Sequence, residues 1–355
     1  MIHFSPGPSQ LYFTVHNHIR EALRKDIPSI SHRSKIFESL YLEVKDGLRV
    51  LLSIPSNYSI FFTGSATEIW ERSIQNLVEN QSYHLVNGAF SKRYFEIATQ
   101  LQKDAGKTEA KAGHGFDPVE IPSSCELLAL TQNETSTGVS LPLEYVHSFK
   151  PKNPDCLVIV DAVSSLPYPD FDYGLVDSVF FSVQKGFGLP AGLGVWMVND
   201  RCLAKAEQLQ AKGKSVGTYH SLLSLYQNSL KNQTPETPNV LGIYLLAKVV
   251  GDLLQKGINA IRKETEYKSA VLYQALENHP TIRPFVSSNL DRSKTVIVAD
   301  CGDRTHELST YLMEKGFFAG EGYGEFKKHH LRFANFPTHS KEQFESLTDA
   351  LSLFK

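Results

Sequence analysis

Two stretches, Leu157-Val158-Ile159-Val160-Asp161 and Ser178-Val179-Phe180-Phe181-Ser182-Val183-Gln184-Lys185-Gly186, set the fold class of this chain. Each is a short apolar run that breaks into polar residues at its carboxyl end. A run without polar alternation has no solvent face, which fits a strand covered on both sides, as in a parallel sheet. Open α/β sheets take their ligands beyond the carboxyl ends of such strands. Asp161 and Lys185 therefore stand where one ligand meets both. Either signal alone is weak. An Asp that ends a strand often caps the next helix, and a lysine ahead of a glycine-rich loop (Gly186, Gly188, Gly192, Gly194) is ordinarily a solvated loop residue. A single strand-sized crossover between the two is what joins them.

The same alternation extends in both directions. Residues 59–63 predict a strand and 65–79 a helix; 83–86 predict a strand and 91–103 a helix. Further buried strands are expected at 127–131 and 194–198. Strands alternating with helices predict an α/β fold with a mostly parallel sheet sandwiched by helices. After Asn199 the pattern changes, and Pro235 and Pro238 punctuate a turn. Helices are expected at 240–255, 259–278, 307–315 and 341–354, with strands at 295–299 and 330–334, which makes a smaller α+β unit. The expected division is a large domain over 15–240 and a small domain over 241–355 joined by the N-terminal segment 1–14.

The 355 residues carry a formal net charge of −2 and 41% hydrophobic side chains. That length fits about two domains of roughly 100–200 residues each. A balance this close to neutral gives no footprint for nucleic acid or an anionic membrane. Cys125, Cys156, Cys202 and Cys301 form no Cys-x-x-Cys pair and no zinc spacing, so free thiols and no metal are expected. Residues 1–10 lack a basic segment followed by an apolar run, and no stretch approaches the ~20 apolar residues of a membrane span. The cytoplasm is the expected location.

Two more turns would reach the same sheet edge. Gly64-Ser65-Ala66-Thr67 joins a strand to a helix; its small residues let a phosphate approach free N–H groups at the helix start. Asn133-Glu134-Thr135-Ser136-Thr137-Gly138 follows the strand at 127–131. An amine beside a carbonyl cofactor forms an imine. A carboxylate beside a pyridine nitrogen keeps that nitrogen protonated, and a protonated ring is an electron sink.

Taken in order, Phe4-Ser5-Pro6-Gly7-Pro8, Ser31-His32-Arg33-Ser34, Gly64-Ser65-Ala66-Thr67-Glu68, Asn133-Glu134-Thr135, Asp161-Ala162-Val163-Ser164-Ser165, Gln184-Lys185-Gly186, Thr237-Pro238 and Leu331-Arg332-Phe333 resemble the class V aminotransferases of the type I pyridoxal-phosphate (PLP) fold. The resemblance covers nearly the whole chain. Within the class it is nearest to the phosphoserine aminotransferases, through the opening segment, Ser-His-Arg and Asn-Glu-Thr. The segment from Asp161 to Leu166 instead resembles the alanine–glyoxylate and serine–pyruvate branch.

The resemblance implies pyridoxal 5'-phosphate held as a Schiff base on Lys185, which also moves the proton between the substrate Cα and the cofactor. It implies Asp161 on the pyridinium, Thr135 near the ring oxygen, and Ser65, Ala66, Thr67 and Gln184 on the phosphate. Thr237 would reach that phosphate from the neighbouring subunit of a homodimer with shared active sites. Arg332 would clamp the substrate α-carboxylate, His32, Arg33 and His330 would face the substrate side chain, and Gly7 and Pro8 would close over it. The implied reaction is ping-pong amino transfer between O-phosphoserine/3-phosphohydroxypyruvate and glutamate/2-oxoglutarate. The alternatives are an alanine–glyoxylate or serine–pyruvate couple and, further off, a PLP lyase such as a cysteine desulfurase.

Three departures stand out. Phe90 occupies the ring-stacking position where the phosphoserine enzymes carry Trp. Glu236 precedes Thr237 where Asn is frequent, and is expected to turn away from a phosphate. Ahead of Arg332 the usual phosphate-binding His-Arg pair is replaced by Glu325-Phe326-Lys327-Lys328-His329-His330, whose basic residues either substitute for it or form a solvated lead-in to a strand.

Overall fold

The computed structural model describes residues 1–355. Its strands, in chain order, are β1 (Ile2–Phe4), β2 (Tyr58–Thr63), β3 (Gln81–Val86), β4 (Asp104–Glu109), β5 (Leu127–Thr131), β6 (Asn133–Glu134), β7 (Val139–Ser140), β8 (Leu157–Asp161), β9 (Ser178–Ser182), β10 (Gly194–Asn199), β11 (Arg283–Pro284), β12 (Val296–Asp300), β13 (Phe317–Glu321) and β14 (His330–Ala334). Seven of them form a sheet in the order β2-β10-β9-β8-β5-β3-β4. β10 runs antiparallel to β2 and β9. The remaining neighbours are parallel.

The apolar runs sit where a strand covered on both faces must sit. Every residue of β5, β8, β9 and β10 is buried. Alternate side chains enter opposite cores, as the period of two requires. Val158, Val160, Val179 and Phe181 point into one cluster, and Leu157, Ile159, Phe180 and Trp196 into the other. Each such side chain is worth about 1.5–3 kcal/mol relative to exposure. On one face lie α1 (Val15–Arg24), α2 (Lys35–Leu52) and the helix Val240–Lys256. The other is covered by α3 (Ala66–Leu77), α4 (Ala89–Gln100) and the helix Asp200–Ala211.

A second sheet has the order β1-β13-β14-β12-β11. The helices Ile258–Asn278 and Lys341–Leu353 bury Leu272, Leu276, Phe344 and Leu347 against its Phe4, Ile297 and Phe333. β1 joins by pairing parallel with β13, so the chain's first residues lie among its last. The two sheets and their helices are the α/β sandwich and smaller α+β part expected from the sequence.

Some elements depart from the sequence expectation. β4 carries Asp104, Lys107 and Glu109 and pairs only with β3. An edge strand is wet, so it shows no apolar run. The helix Val240–Lys256 was expected to open the smaller unit. It instead buries Ile243, Leu246 and Val250 with α2 in the core of the larger sheet. No helix is long and apolar enough to cross a membrane.

Candidate active site

β2 and β9 both oppose β10, so they run the same way, and β5 and β8 follow β9 in parallel. The carboxyl ends of these four strands therefore reach one edge of the sheet. A cavity of about 230 Å³ opens there. Gly7, Pro8, Ser65, Ala66, Thr67 and Phe90 line it, as do Thr135, Asp161, Gln184 and Lys185. Asn133 and Ser182, members of the segments read in the sequence but with no role assigned, also line it, as does Trp70, which carried no sequence signal.

Asp161 is the last residue of β8 and is buried. Trp70 Nε1 donates to its Oδ2 at 2.8 Å, and the backbone N–H of Val163 to its Oδ1 at 2.9 Å. Both partners are neutral donors. Burial pushes the carboxyl up to about 7, with the charge of Glu134 adding to it and the two hydrogen bonds and Lys185 opposing. A dry carboxylate with no ion-pair partner favours a cation arriving beside it.

Lys185 follows β9 and shows the complementary perturbation. Burial, and then the charge of Arg332, lower its ammonium to about 8, while Asp161 and Glu134 pull the other way. Nζ lies 5.9 Å from the centre of the Phe90 ring. Gly7 passes so close to this amine that a Cβ there would collide with Nζ and Cε. A residue with any side chain would displace the lysine.

The turn between β2 and α3 forms an anion cradle. Ser65 caps α3 by accepting from the Glu68 N–H at 3.2 Å, and Ala66 N–H donates to Ser182 Oγ at 2.9 Å. The Thr67 N–H, which has no partner, and the positive end of the helix dipole suit a phosphate. Phe90 is placed by a buried residue of the Asn-Glu-Thr segment. Glu134 accepts from the N–H groups of Phe90 (3.3 Å) and Ser91 (2.9 Å) and from Ser136 Oγ (2.6 Å), and so caps α4 from across the cavity. Arg332 donates from Nη1 to the Thr135 carbonyl at 3.2 Å and from Nε to the Glu321 carbonyl at 2.6 Å. Its guanidinium carbon lies 5.5 Å from the Tyr323 ring, which in turn sits 5.0 Å from Phe90.

Arg332 borders the cavity through Thr135 without lining it, and four other predicted residues are not brought to it. Thr237 is exposed, and its hydroxyl meets His32 Nδ1 at 3.3 Å. Arg33, also exposed, bonds Gln233 Oε1 at 2.8 Å and the Pro235 carbonyl at 3.2 Å. His330 is buried, stacked parallel on Phe326 with centroids 4.7 Å apart and tilted against Phe285 at 4.2 Å. Burial lowers its imidazolium form, so it is an apolar packing residue in this position.

The family model for class V aminotransferases matches residues 114–323. The chain is a class V aminotransferase. A phosphoserine aminotransferase from Cytophaga hutchinsonii is 50% identical to it, with a TM-score of 0.97 over 99% of this chain and 98% of that one. A protein of Mycolicibacterium vanbaalenii bearing the name "Putative phosphoserine aminotransferase" is 30% identical over 330 residues, 91% of this chain and 87% of that one. An alanine–glyoxylate aminotransferase from Nostoc sp. shares the fold, at 22% identity and a TM-score of 0.81 over 99% of this chain and 94% of that one.

Class V aminotransferases depend on pyridoxal phosphate, and the cavity of this one suits that group. It offers a buried carboxylate without a cation, an amine whose proton is loosely held, and a helix N-terminus at its edge. Asp161 could hold the ring nitrogen, the Ser65–Thr67 turn and Gln184 the phosphate, and Phe90 the ring face.

Proposed function

We propose that this aminotransferase exchanges the amino group between O-phosphoserine/3-phosphohydroxypyruvate and glutamate/2-oxoglutarate, a step in making serine. The observation that carries the chemistry is the convergence of Asp161 and Lys185 on one cavity with opposite proton affinities perturbed toward each other. The 50% identity to a phosphoserine aminotransferase over the full chain supports the substrate.

Pyridoxal phosphate, when bound, supplies an electron sink beside the substrate Cα. The chain's own residues do the rest. Asp161, fixed by Trp70 and Val163, pairs with the ring nitrogen. Ser65, Ala66, Thr67 and Gln184 take the phosphate, Thr135 the ring oxygen, and Phe90 packs on the ring. Lys185, with its affinity for protons lowered to about 8, is partly neutral near pH 7 and can take and return the proton of the substrate Cα. Arg332 binds the α-carboxylate through its two-pronged guanidinium. Gly7 and Pro8 close the opening to water.

The active form in this reading is a homodimer in the cytoplasm. Thr237, His32 and Arg33 lie together on the surface, outside the cavity of their own chain, which supports their facing the cavity of a neighbouring copy. The cofactor-holding domain runs through the helix Val240–Lys256, and the chain from Ile258 on, with the first strand, forms the smaller one, which carries Arg332. A cysteine desulfurase is disfavoured because all four cysteines are buried. The substrate is tested by mixing the cofactor-loaded protein separately with L-glutamate, O-phosphoserine, L-alanine and L-serine and following the absorbance change of the first half-reaction. Glutamate and O-phosphoserine are expected to react fastest. Response to alanine with none to O-phosphoserine would overturn the assignment.

A further inference from the structure

One buried ionic cluster stands beside the cavity without lining it. His220 is 1% exposed and lies between two carboxylates. Its Nδ1 meets Glu68 Oε1 at 2.5 Å, and its Nε2 meets Glu236 Oε2 at 2.7 Å. The two carboxylates belong to segments of separate function. Glu68 is in the first turn of α3 and folds back so that its Oε2 accepts from the Gly64 N–H at 2.8 Å. Glu236 directly precedes Thr237.

The other groups facing the cluster are few. Tyr219 stacks on the His220 ring with centroids 4.0 Å apart. Arg72 reaches in from α3, with Nη1 donating to the Tyr219 carbonyl at 3.1 Å. Tyr41 of α2 and His32 are near enough to feel the charge of Glu236. His220 itself adopts a left-handed backbone conformation, φ 49°. Non-glycine residues rarely do so unless the surroundings hold them there. The two carboxylates are therefore bridged by one side chain in a constrained place.

The electrostatic consequence follows from position. Glu68 stands in the turn that would receive a phosphate dianion, and an uncompensated carboxylate there opposes the dipole and N–H groups of α3. An imidazolium between Glu68 and Glu236 cancels one of the two charges and fixes Glu68 on the Gly64 N–H at the outer end of the turn. Burial alone would lower His220; the carboxylate of Glu236 close to Nε2 and the hydrogen bond to Glu68 outweigh it and raise the group to about 9.

We propose that His220 is a positioning residue for the cofactor phosphate. As an imidazolium it ties Glu68 to Glu236, holds the Gly64–Thr67 turn in its anion-receiving shape, and shields the phosphate from carboxylate charge. This rests on the reading of that turn as the phosphate cradle. It also accounts for the acidic residue before Thr237, because Glu236 is spent on His220.

The test uses the full-length protein loaded with pyridoxamine 5'-phosphate, which makes no bond to Lys185, and measures cofactor release between pH 7 and 10.5. The unaltered protein is expected to hold the cofactor up to about pH 8.5 and to release it about tenfold faster by pH 10, as His220 loses its proton. His220→Asn should release it about tenfold faster already at pH 7.5 and show no step near pH 9. Adding Glu68→Gln to His220→Asn should restore most of the retention, because the uncompensated carboxylate in the turn is gone. Glu236→Gln alone, which leaves the His220–Glu68 pair, should move the step to lower pH.

Equal release from the unaltered protein and His220→Asn at every pH overturns the proposal. So does a double variant as leaky as the single one, which would make His220 a packing residue only. If His220→Asn does not fold, the Glu236→Gln step decides, and an unmoved step overturns the proposal. A protein that takes up no cofactor at all overturns both this inference and the proposed function. Normal uptake with no effect of these variants overturns this inference alone.

Discussion

The carboxyl edge of the large sheet was expected to carry the site, the segment 325–330 of the small one either to bind the substrate phosphate or to be a solvated lead-in to a strand, and the two differ in kind. At the sheet edge, Asp161, Lys185, Ser65, Phe90 and Thr135 converge on one cavity, where Trp70 and Val163 fix Asp161 and Glu134 fixes the backbone of Phe90. In the other segment Lys327 pairs with Glu321 at 3.1 Å in solvent, and His330 is packed between Phe285 and Phe326. Cofactor chemistry needs groups fixed and desolvated, so the fold itself builds them. In the proposed function the charged substrate tail falls to exposed residues, of which Arg33 is gathered with His32 and Thr237.

The contrast can be broken or sharpened by substitution. Lys185→Ala should lower amino transfer by ~10⁴-fold or more, the size of effect seen when a central proton-transfer or nucleophilic group is removed. Single-turnover kinetics with glutamate would show it, and a loss below tenfold would remove Lys185 from the chemistry. Asp161→Asn should cost ~10²- to 10³-fold, as expected for breaking a buried charge pair worth about 3–5 kcal/mol. The loss should appear with every amino donor alike.

Effects should become smaller and more selective away from the cavity. Arg33→Ala should weaken O-phosphoserine about tenfold, the value of one charge-assisted contact, and glutamate much less. Equal losses, measured as apparent affinities in the half-reaction, would show that Arg33 is not a ligand of the phosphate. Lys327→Ala should change either substrate by less than about twofold, because exposed pairs contribute little. A large selective effect there would place the substrate phosphate on the segment 325–330 instead.

The same contrast explains what was legible in the sequence. Asp161 and Lys185 were readable because uninterrupted apolar strands must be buried and must end at one edge. Leu127–Thr131 was visible for the same reason. Phe37, Leu40, Tyr41, Val44, Leu48 and Leu51 of α2 had the helical spacing of a covered face, a signal that was available and not used. β4 gave none, since an edge strand does not need one. Trp70 on Asp161, Glu134 on the start of α4 and His220 between Glu68 and Glu236 are contacts between residues far apart in sequence. No local pattern marks them; only the assembled strands bring them together.

The account stands on one buried amine carrying the cofactor, and the chain contains a second buried lysine as its own control. Lys268 is 1% exposed and burial lowers its ammonium to about 7, yet its Nζ is taken up by the carbonyls of Phe336 and His339 at 3.0 and 2.9 Å. Incubating the full-length protein with pyridoxal phosphate, reducing with borohydride and mapping the peptides by mass distinguishes the two. The predicted result is one added cofactor per chain, on the peptide containing Lys185, absent from Lys185→Ala. Label on Lys268, or no stable label, would contradict it.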